Sequence, residues 1–138
     1  MSYQGKLEFR SALTNDSTLT STVPSGSITV AFNKDDWSSP CISIYQVGGQ
    51  EKALVGYNSA PSGSKEKQET CIMQLDIYSR TSVTETEQIA DLISDVLTPD
   101  YGTLQGLVKT SDLDSFYDSS LEAYHKIVTW SFFRYSND

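Results

Sequence analysis

Residues 71–97 read CIMQLDIYSRTSVTETEQIADLISDVL, and this stretch decides the fold class. Apolar side chains alternate with polar ones over residues 71–78, which is the two-residue period of a β-strand with one buried face. Ser82 stands three residues before Glu85, the spacing of a helix capping box. Apolar residues then recur every three or four positions, which indicates an amphipathic helix over residues 82–97. A strand followed at once by a helix predicts mixed α and β structure.

The segment before residue 71 adds a helix and two strands. Apolar residues three or four apart predict a helix over residues 3–13, and the polar run at residues 14–17 ends it and can cap a second short turn. Residues 27–33 and 41–47 alternate in polarity and predict strands, joined by a polar loop at residues 34–40.

The chain is predicted to close with a long strand over residues 124–135, preceded by a short strand near residues 104–108. Two faces alternate along the long strand, one with Ile127, Thr129, Ser131, Phe133 and Tyr135, the other with Val128, Trp130, Phe132 and Arg134. Large apolar groups on both faces are typical of a strand that is covered on both sides. The domain's own helices can cover one face, and we expect a neighbouring subunit to cover the other.

Residues 48–70 form an unusual segment rich in glycine, serine and lysine. So long a connection in a compact domain is usually functional or disordered, and we interpret it as a protruding β-hairpin arm that orders on a partner. Together the elements predict one α+β domain over residues 1–138. Its sheet is mostly antiparallel, with about four or five strands, helices packed on one face and the long arm.

The composition excludes several classes of function. The chain has 138 residues and a formal net charge of −8, which argues against a surface that grips phosphates through clustered basic residues. No window approaches the ~18 consecutive apolar residues of a membrane span, so no membrane partner is predicted. The first residues lack the features of a secretion signal, so we expect a protein that is made in the cytosol.

No catalytic, cofactor-binding or metal-binding set is recognisable. His125 is the only histidine, and there is neither a phosphate-binding glycine loop nor a nucleophile elbow. Asp112 and Asp114 lack the further oxygen ligands of a calcium loop, so a solvated acidic loop is expected. Cys41 and Cys71 are expected to be buried free thiols, with a bridge between strands as the alternative.

Three stretches and the order of the elements resemble one known family. They are QLDIYSR (residues 74–80) leading into ETEQIAD (residues 85–91), Tyr124-His125-Lys126 at the start of the last strand, and the early spacing Leu7, Ala12, Leu13, Asp16, Leu19. Over nearly the whole chain, these patterns resemble the tail terminator, or tail completion, proteins of long-tailed bacteriophages and related viruses.

The resemblance implies a structural virion protein that is not an enzyme and has no cofactor. Such proteins form a ring, typically a hexamer, that caps the tail tube, stops its polymerisation and offers a docking surface to head completion or connector proteins. DNA would pass through the lumen without specific binding, in the neck region of a virion tail that is assembled in the host cytoplasm.

A capping ring needs lateral contacts between its subunits and axial contacts with the tube. We expect the lateral contacts at the sheet edges and the 124–135 strand, and the axial contacts at the arm. Trp37 and Tyr57, in predicted loops, could anchor a partner or cover the local core. The predicted interface residues are Trp37, Lys52, Leu54, Tyr57, Lys65, Lys67, Trp130, Phe132 and Arg134.

Two other functions stay open on the sequence alone. One is another neck component, either a head completion or a tail tube protein. The other is a small cytosolic ligand-binding domain or enzyme, which would need a pocket with convergent polar groups.

Overall fold

A computed structural model describes residues 3–53, 67–97 and 104–136 of the chain. Its elements, in chain order, are α1 (Tyr3–Thr14), α2 (Ser17–Thr22), β1 (Ile28–Thr29), β2 (Cys41–Ala53), β3 (Lys67–Ser79), α3 (Val83–Val96), β4 (Gln105–Asp112), β5 (Phe116–Asp118) and β6 (Ala123–Ser136). None of the helices in these ranges is long and apolar enough to cross a membrane.

The strands form one sheet in the order β1-β2-β3-β6-β4, with β5 pairing β6 beside this path. The β1–β2 pair is parallel and all the others are antiparallel. The predicted α+β class with a mostly antiparallel sheet is confirmed. The sheet has six strands, and the one that the sequence did not predict is β5, which is only three residues long.

The helices cover one side of the sheet, called here the helix face. Residues of β2, β3 and β6 that point to this side are buried beneath α1 and α3: Ile42, Ile44, Cys71, Met73, Leu75, Ile77, Val128, Trp130 and Phe132. The rings of Phe9 on α1 and Phe132 on β6 stack at 5.5 Å with an angle of 7° between their planes. The predicted alternation of β3 and β6 is therefore confirmed.

Local sequence signals position α3 as predicted. The Ser82 hydroxyl oxygen accepts a hydrogen bond from the Glu85 backbone N–H at 3.1 Å, which satisfies a free donor at the helix start. The Glu85 carboxylate accepts from the Ser79 hydroxyl at 2.6 Å, and so joins the helix to the end of β3. The predicted stripe is buried through Ile89, Ala90, Ile93 and Leu97.

Two predicted strands have different lengths in the structure. The strand expected over residues 27–33 is only Ile28–Thr29, since the Thr29 hydroxyl accepts from the Ala31 N–H at 2.9 Å and turns the chain out of the sheet. The Phe32 ring then stacks on Tyr78 at 4.7 Å. β2, by contrast, continues past residue 47 through a bulge and ends at Ala53.

The root of the predicted arm is a three-stranded ladder. β2 and β3 pair from Gly48 opposite Ile72 to Ala53 opposite Lys67, and β6 pairs β3 as far as Lys67. The two legs of the predicted hairpin are thus present in the sheet. Of the interface residues predicted in the arm, Lys52 and Lys67 lie on these legs, while Leu54, Tyr57 and Lys65 lie outside the described residues.

Position 106 in β4 requires a glycine, both because of its backbone conformation and because the Phe133 ring lies against it. Its φ is +62°, in the left-handed region, and a Cβ placed there would lie 2.5 Å from Cε1 of Phe133. The register between β4 and β6 also shifts on either side of Val108 and Lys109. This sheet edge is therefore irregular, as is common for edge strands.

Candidate assembly surfaces

The second side of the sheet, called here the outer face, faces away from the helices. It is formed by Ser43, Tyr45, Thr70, Ile72, Gln74, Asp76, Tyr78, His125, Ile127, Thr129, Ser131 and Phe133. Its central side chains are partly exposed, and Val108 on the neighbouring β4 is 54% exposed. In the described part of the chain no helix packs on this side of the central strands.

The outer face carries almost no charge. Among the twelve positions named above, the charged side chains are Asp76 and His125, which are 4% and 8% exposed and lie 2.8 Å apart, with Asp118 of β5 at their border. The remaining positions are apolar, aromatic, hydroxyl or amide side chains in a chain of net charge −8. Depletion of charge is the compositional mark of the centre of a protein–protein interface, so this face is suited to contact another subunit.

His125 lies in a cluster of rings at one end of the outer face. The ring centroids of Tyr78 and Phe116 lie 4.3 and 4.8 Å from its own. Its Nε2 bonds to Asp76 and its Nδ1 is 3.8 Å from Asp118 of β5. The contacts of His125 are thus packing and hydrogen bonding, and they join β5 and β6 to β3.

Trp37 closes the same end of the molecule. Its ring lies 6.0 Å from Phe32 and 5.8 Å from Tyr78, and the Arg80 guanidinium stacks on it at 3.9 Å. Arg80 also donates to the Trp37 carbonyl oxygen at 3.3 Å. Of the two roles considered for Trp37, covering the local core is the one these contacts supply. The loop also borders an open cleft of about 290 Å³ near Phe32 and Cys41.

The three interface residues predicted on β6 are enclosed by the chain itself. Trp130 and Phe132 are 4% and 1% exposed in the hydrophobic core, and Arg134 is 6% exposed in ion pairs with Glu8 and Glu69. The strand's accessible side chains are therefore on its other side, at Ile127, Thr129 and Ser131. The alternation of residue types predicts the two sides of β6, but it does not indicate which side the helices cover.

Lys126 forms an ion-pair network that the sequence did not reveal. Its side chain is 2% exposed, and its ammonium donates to Asp112 at 2.6 Å, to the Leu113 carbonyl oxygen at 2.8 Å and to Glu87 at 3.3 Å. Asp112, expected in a solvated loop, is instead a partner of Lys126 and Lys109. The network joins β6, the end of β4 and α3.

These contacts shift the pKa values of the partners. Hydrogen bonds from Lys109 and Lys126 lower the pKa of Asp112. Partial burial opposes the shift at Glu87, but hydrogen bonds from Ser115 and Lys126 still lower its pKa. Both carboxylates therefore stabilise the fold above their unfolded pKa of about 4, and this contribution is lost as the pH falls through their folded pKa values.

Glu87→Gln combined with Asp112→Asn should lower the free energy of unfolding by about 2 kcal/mol at pH 7, because a buried ammonium loses its counter-charges. The value is reduced because the two carboxylate side chains are 44% and 41% exposed. Lys126→Met is the matched control and should cost less than about 1 kcal/mol, since it leaves no buried charge. Urea denaturation measures both, and equal losses would contradict this account.

Both cysteines are buried, as predicted, and neither is in a disulfide. Burial raises the pKa of each thiol to about 12, with the Glu69 carboxylate adding to the effect at Cys71. In the described ranges no group of three histidine, cysteine, aspartate or glutamate side chains is placed to hold a metal ion.

The fold is shared with solved structures from a gene transfer agent virion and from a bacteriophage. A chain from the virion of a native gene transfer agent particle matches 93% of this chain and 92% of its own length, with a TM-score of 0.64 and 13% identity. The gp17 protein of bacteriophage SPP1 matches 92% of this chain and 86% of its own length, with a TM-score of 0.54 and 14% identity. No protein-family model matches the sequence, and no curated protein sequence matches it.

Proposed function

We propose that this protein is a structural virion component, a tail terminator that forms a ring on the end of a tail tube. The ring stops polymerisation of the tube and offers a docking surface to a head completion or connector protein. The observation that carries the proposal is the uncharged outer face in a chain of net charge −8. The fold shared with virion proteins over more than 90% of the chain supports it.

The outer face provides one of the two lateral surfaces that a ring requires. Subunits of like charge repel one another, so contact between copies is favoured where no charge faces the neighbour. Ring closure by head-to-tail contacts needs two unlike surfaces on each subunit. The irregular β4 edge is a candidate for the second surface. A hexamer is the ring size that the family resemblance implies.

The arm provides the axial contact in this proposal. Tube rings polymerise because each ring exposes the surface that the next one needs, and a terminator occupies that surface without renewing it. Lys52, Leu54, Tyr57, Lys65 and Lys67 are the proposed tube contacts. The acidic net charge suits a lumen through which DNA passes without being held, because a negative wall repels phosphate.

Electron microscopy of tails assembled without the protein tests the role. Overlong tubes support termination. Tails of normal length that fail to join heads would show that the protein is a connector, and loss of all tubes would show that it is a tube subunit. The mass of the protein in solution, with and without purified tubes, tests ring formation directly.

Deletion of residues 59–64 should impair attachment to tubes, because the arm is proposed to make the axial contact, and should leave folding intact, because the segment contains no large apolar residue. Co-sedimentation with tubes and thermal unfolding measure the two effects. Gln88→Ala, an exposed position on α3, is the control and should change neither. Normal attachment by the deletion variant would contradict the role given to the arm.

A further inference from the structure

Arg134 joins three elements where the arm leaves the sheet. Its Nε and Nη2 donate to the two carboxylate oxygens of Glu8 on α1, at 2.7 and 3.2 Å. Its Nη1 donates to Glu69 on β3 at 3.1 Å. Glu69 is also its partner in the ladder between β3 and β6. One guanidinium on β6 therefore connects the first helix to β3 at the root of the arm.

The surroundings of Arg134 are closely packed. The side chains of Arg134 and Glu69 are 7% and 2% exposed. A Cβ added to Gly5 of α1 would lie 3.0 Å from the Cys71 sulfur and 3.5 Å from Cδ of Arg134. The Cys71 thiol donates to Glu69 at 3.5 Å. Helix α1 thus lies against the arm root with little room for a side chain at Gly5.

A buried ion cluster is a poor source of net stability, because desolvation offsets most of the attraction. Its best-attested use is to specify one arrangement among several of similar energy. The fork of the guanidinium supplies such specificity, because it binds the Glu8 carboxylate through two parallel hydrogen bonds. The root of the arm is a three-stranded ladder, and Arg134 on β6 joins its middle strand, β3, to α1.

We propose that Arg134 is a positioning residue that fixes the root of the arm, residues 48–53 and 67–70, against α1. Its importance for tube binding rests on the axial role of the arm proposed above. The fixed root itself is a property of the single subunit. The two can therefore be tested separately.

Amide hydrogen exchange of the full chain tests the fixed root. Glu8→Gln and Arg134→Met should each accelerate exchange of the 50–53 and 67–70 amides by roughly tenfold, while β3 amides 73–77 exchange at the wild-type rate. Arg134→Lys should exchange at rates between those of the wild type and of these two variants, since an ammonium cannot form the fork. The double variant Glu8→Gln with Arg134→Met should add little to Arg134→Met alone, because the Glu8 carboxylate has then already lost the guanidinium.

Asp91→Asn is the matched control, since it removes one exposed carboxylate from α3 and should leave every rate unchanged. Wild-type exchange at the root in both Glu8→Gln and Arg134→Met would overturn the proposal. If Arg134→Met does not fold, Glu8→Gln and Arg134→Lys decide it in the same way. A loosened root with normal tube attachment would support the positioning role and overturn the axial role of the arm.

Discussion

Ser131→Glu is expected to abolish ring assembly while the subunit stays folded. Ser131 is at the centre of the outer face, opposite Ile72 on β3 and Val108 on β4. If a second copy covers this face, the new carboxylate is buried without a partner, which costs several kcal/mol at a contact. A ring repeats the contact at every subunit. We therefore expect a loss of association of at least about 100-fold, measured by sedimentation over a range of concentrations.

Gln88→Glu is the matched control for this substitution. It makes the same change in net charge on the exposed side of α3, away from the outer face. We expect it to assemble like the wild type, so that general repulsion between more acidic subunits is excluded as the cause. Wild-type rings formed by Ser131→Glu would remove the outer face from the assembly and with it the main support for the proposed function.

Phe132→Ala is expected to lower the free energy of unfolding by about 3–5 kcal/mol, the cost of truncating a buried phenylalanine. The side chain is 1% exposed and stacks on Phe9, so its removal leaves a cavity between β6 and α1. Guanidinium denaturation gives the difference in unfolding free energy between the two proteins, provided that the dependence of this free energy on denaturant concentration is the same for both. The loss is a large part of the 5–15 kcal/mol that stabilises a typical domain of this kind.

Phe116→Ala is the control for Phe132→Ala. Phe116 is 45% exposed and contacts the His125 ring, so its truncation should cost less than about 1.5 kcal/mol. The comparison also tests the sequence-based assignment of Phe132 to an interface. A Phe132→Ala protein that is as stable as the wild type but fails to assemble would support that assignment and contradict the core position described above.

The parts of the fold that sequence predicted are those with local signals. Ser82 and Glu85 cap α3 within a single turn, and the alternation of β3 requires no knowledge of its neighbours. The end of β1 was not predicted, because the alternation in sequence continues to Phe32 while the Thr29 hydroxyl turns the chain out of the sheet at Ala31. The Phe32 ring then stacks on Tyr78, 46 positions away by residue number, and alternation gives no sign of either contact.

The candidate surfaces show the same division. The two sides of β6 follow from alternation, but the side that the helices cover depends on packing across the whole sheet. Arg134 was predicted to contact another subunit, and the structure shows it bound to Glu8, which precedes it by 126 positions. Lys126 gave no signal, since its partners come from α3 and from the end of β4. Ion pairs between distant positions can be identified only when the register of the strands and the packing of the helices are known.

The reactivity of the two buried thiols reports local opening of the subunit without an added probe. Thiolates are the species that react with alkylating agents, and a pKa of about 12 leaves roughly one thiol in 100,000 ionised at pH 7. Labelling therefore waits for the surrounding structure to open. Cys71 lies beneath α1 near the arm root and Cys41 begins β2 beside the Trp37 loop, so peptide masses would resolve the opening of two separate regions of one native chain.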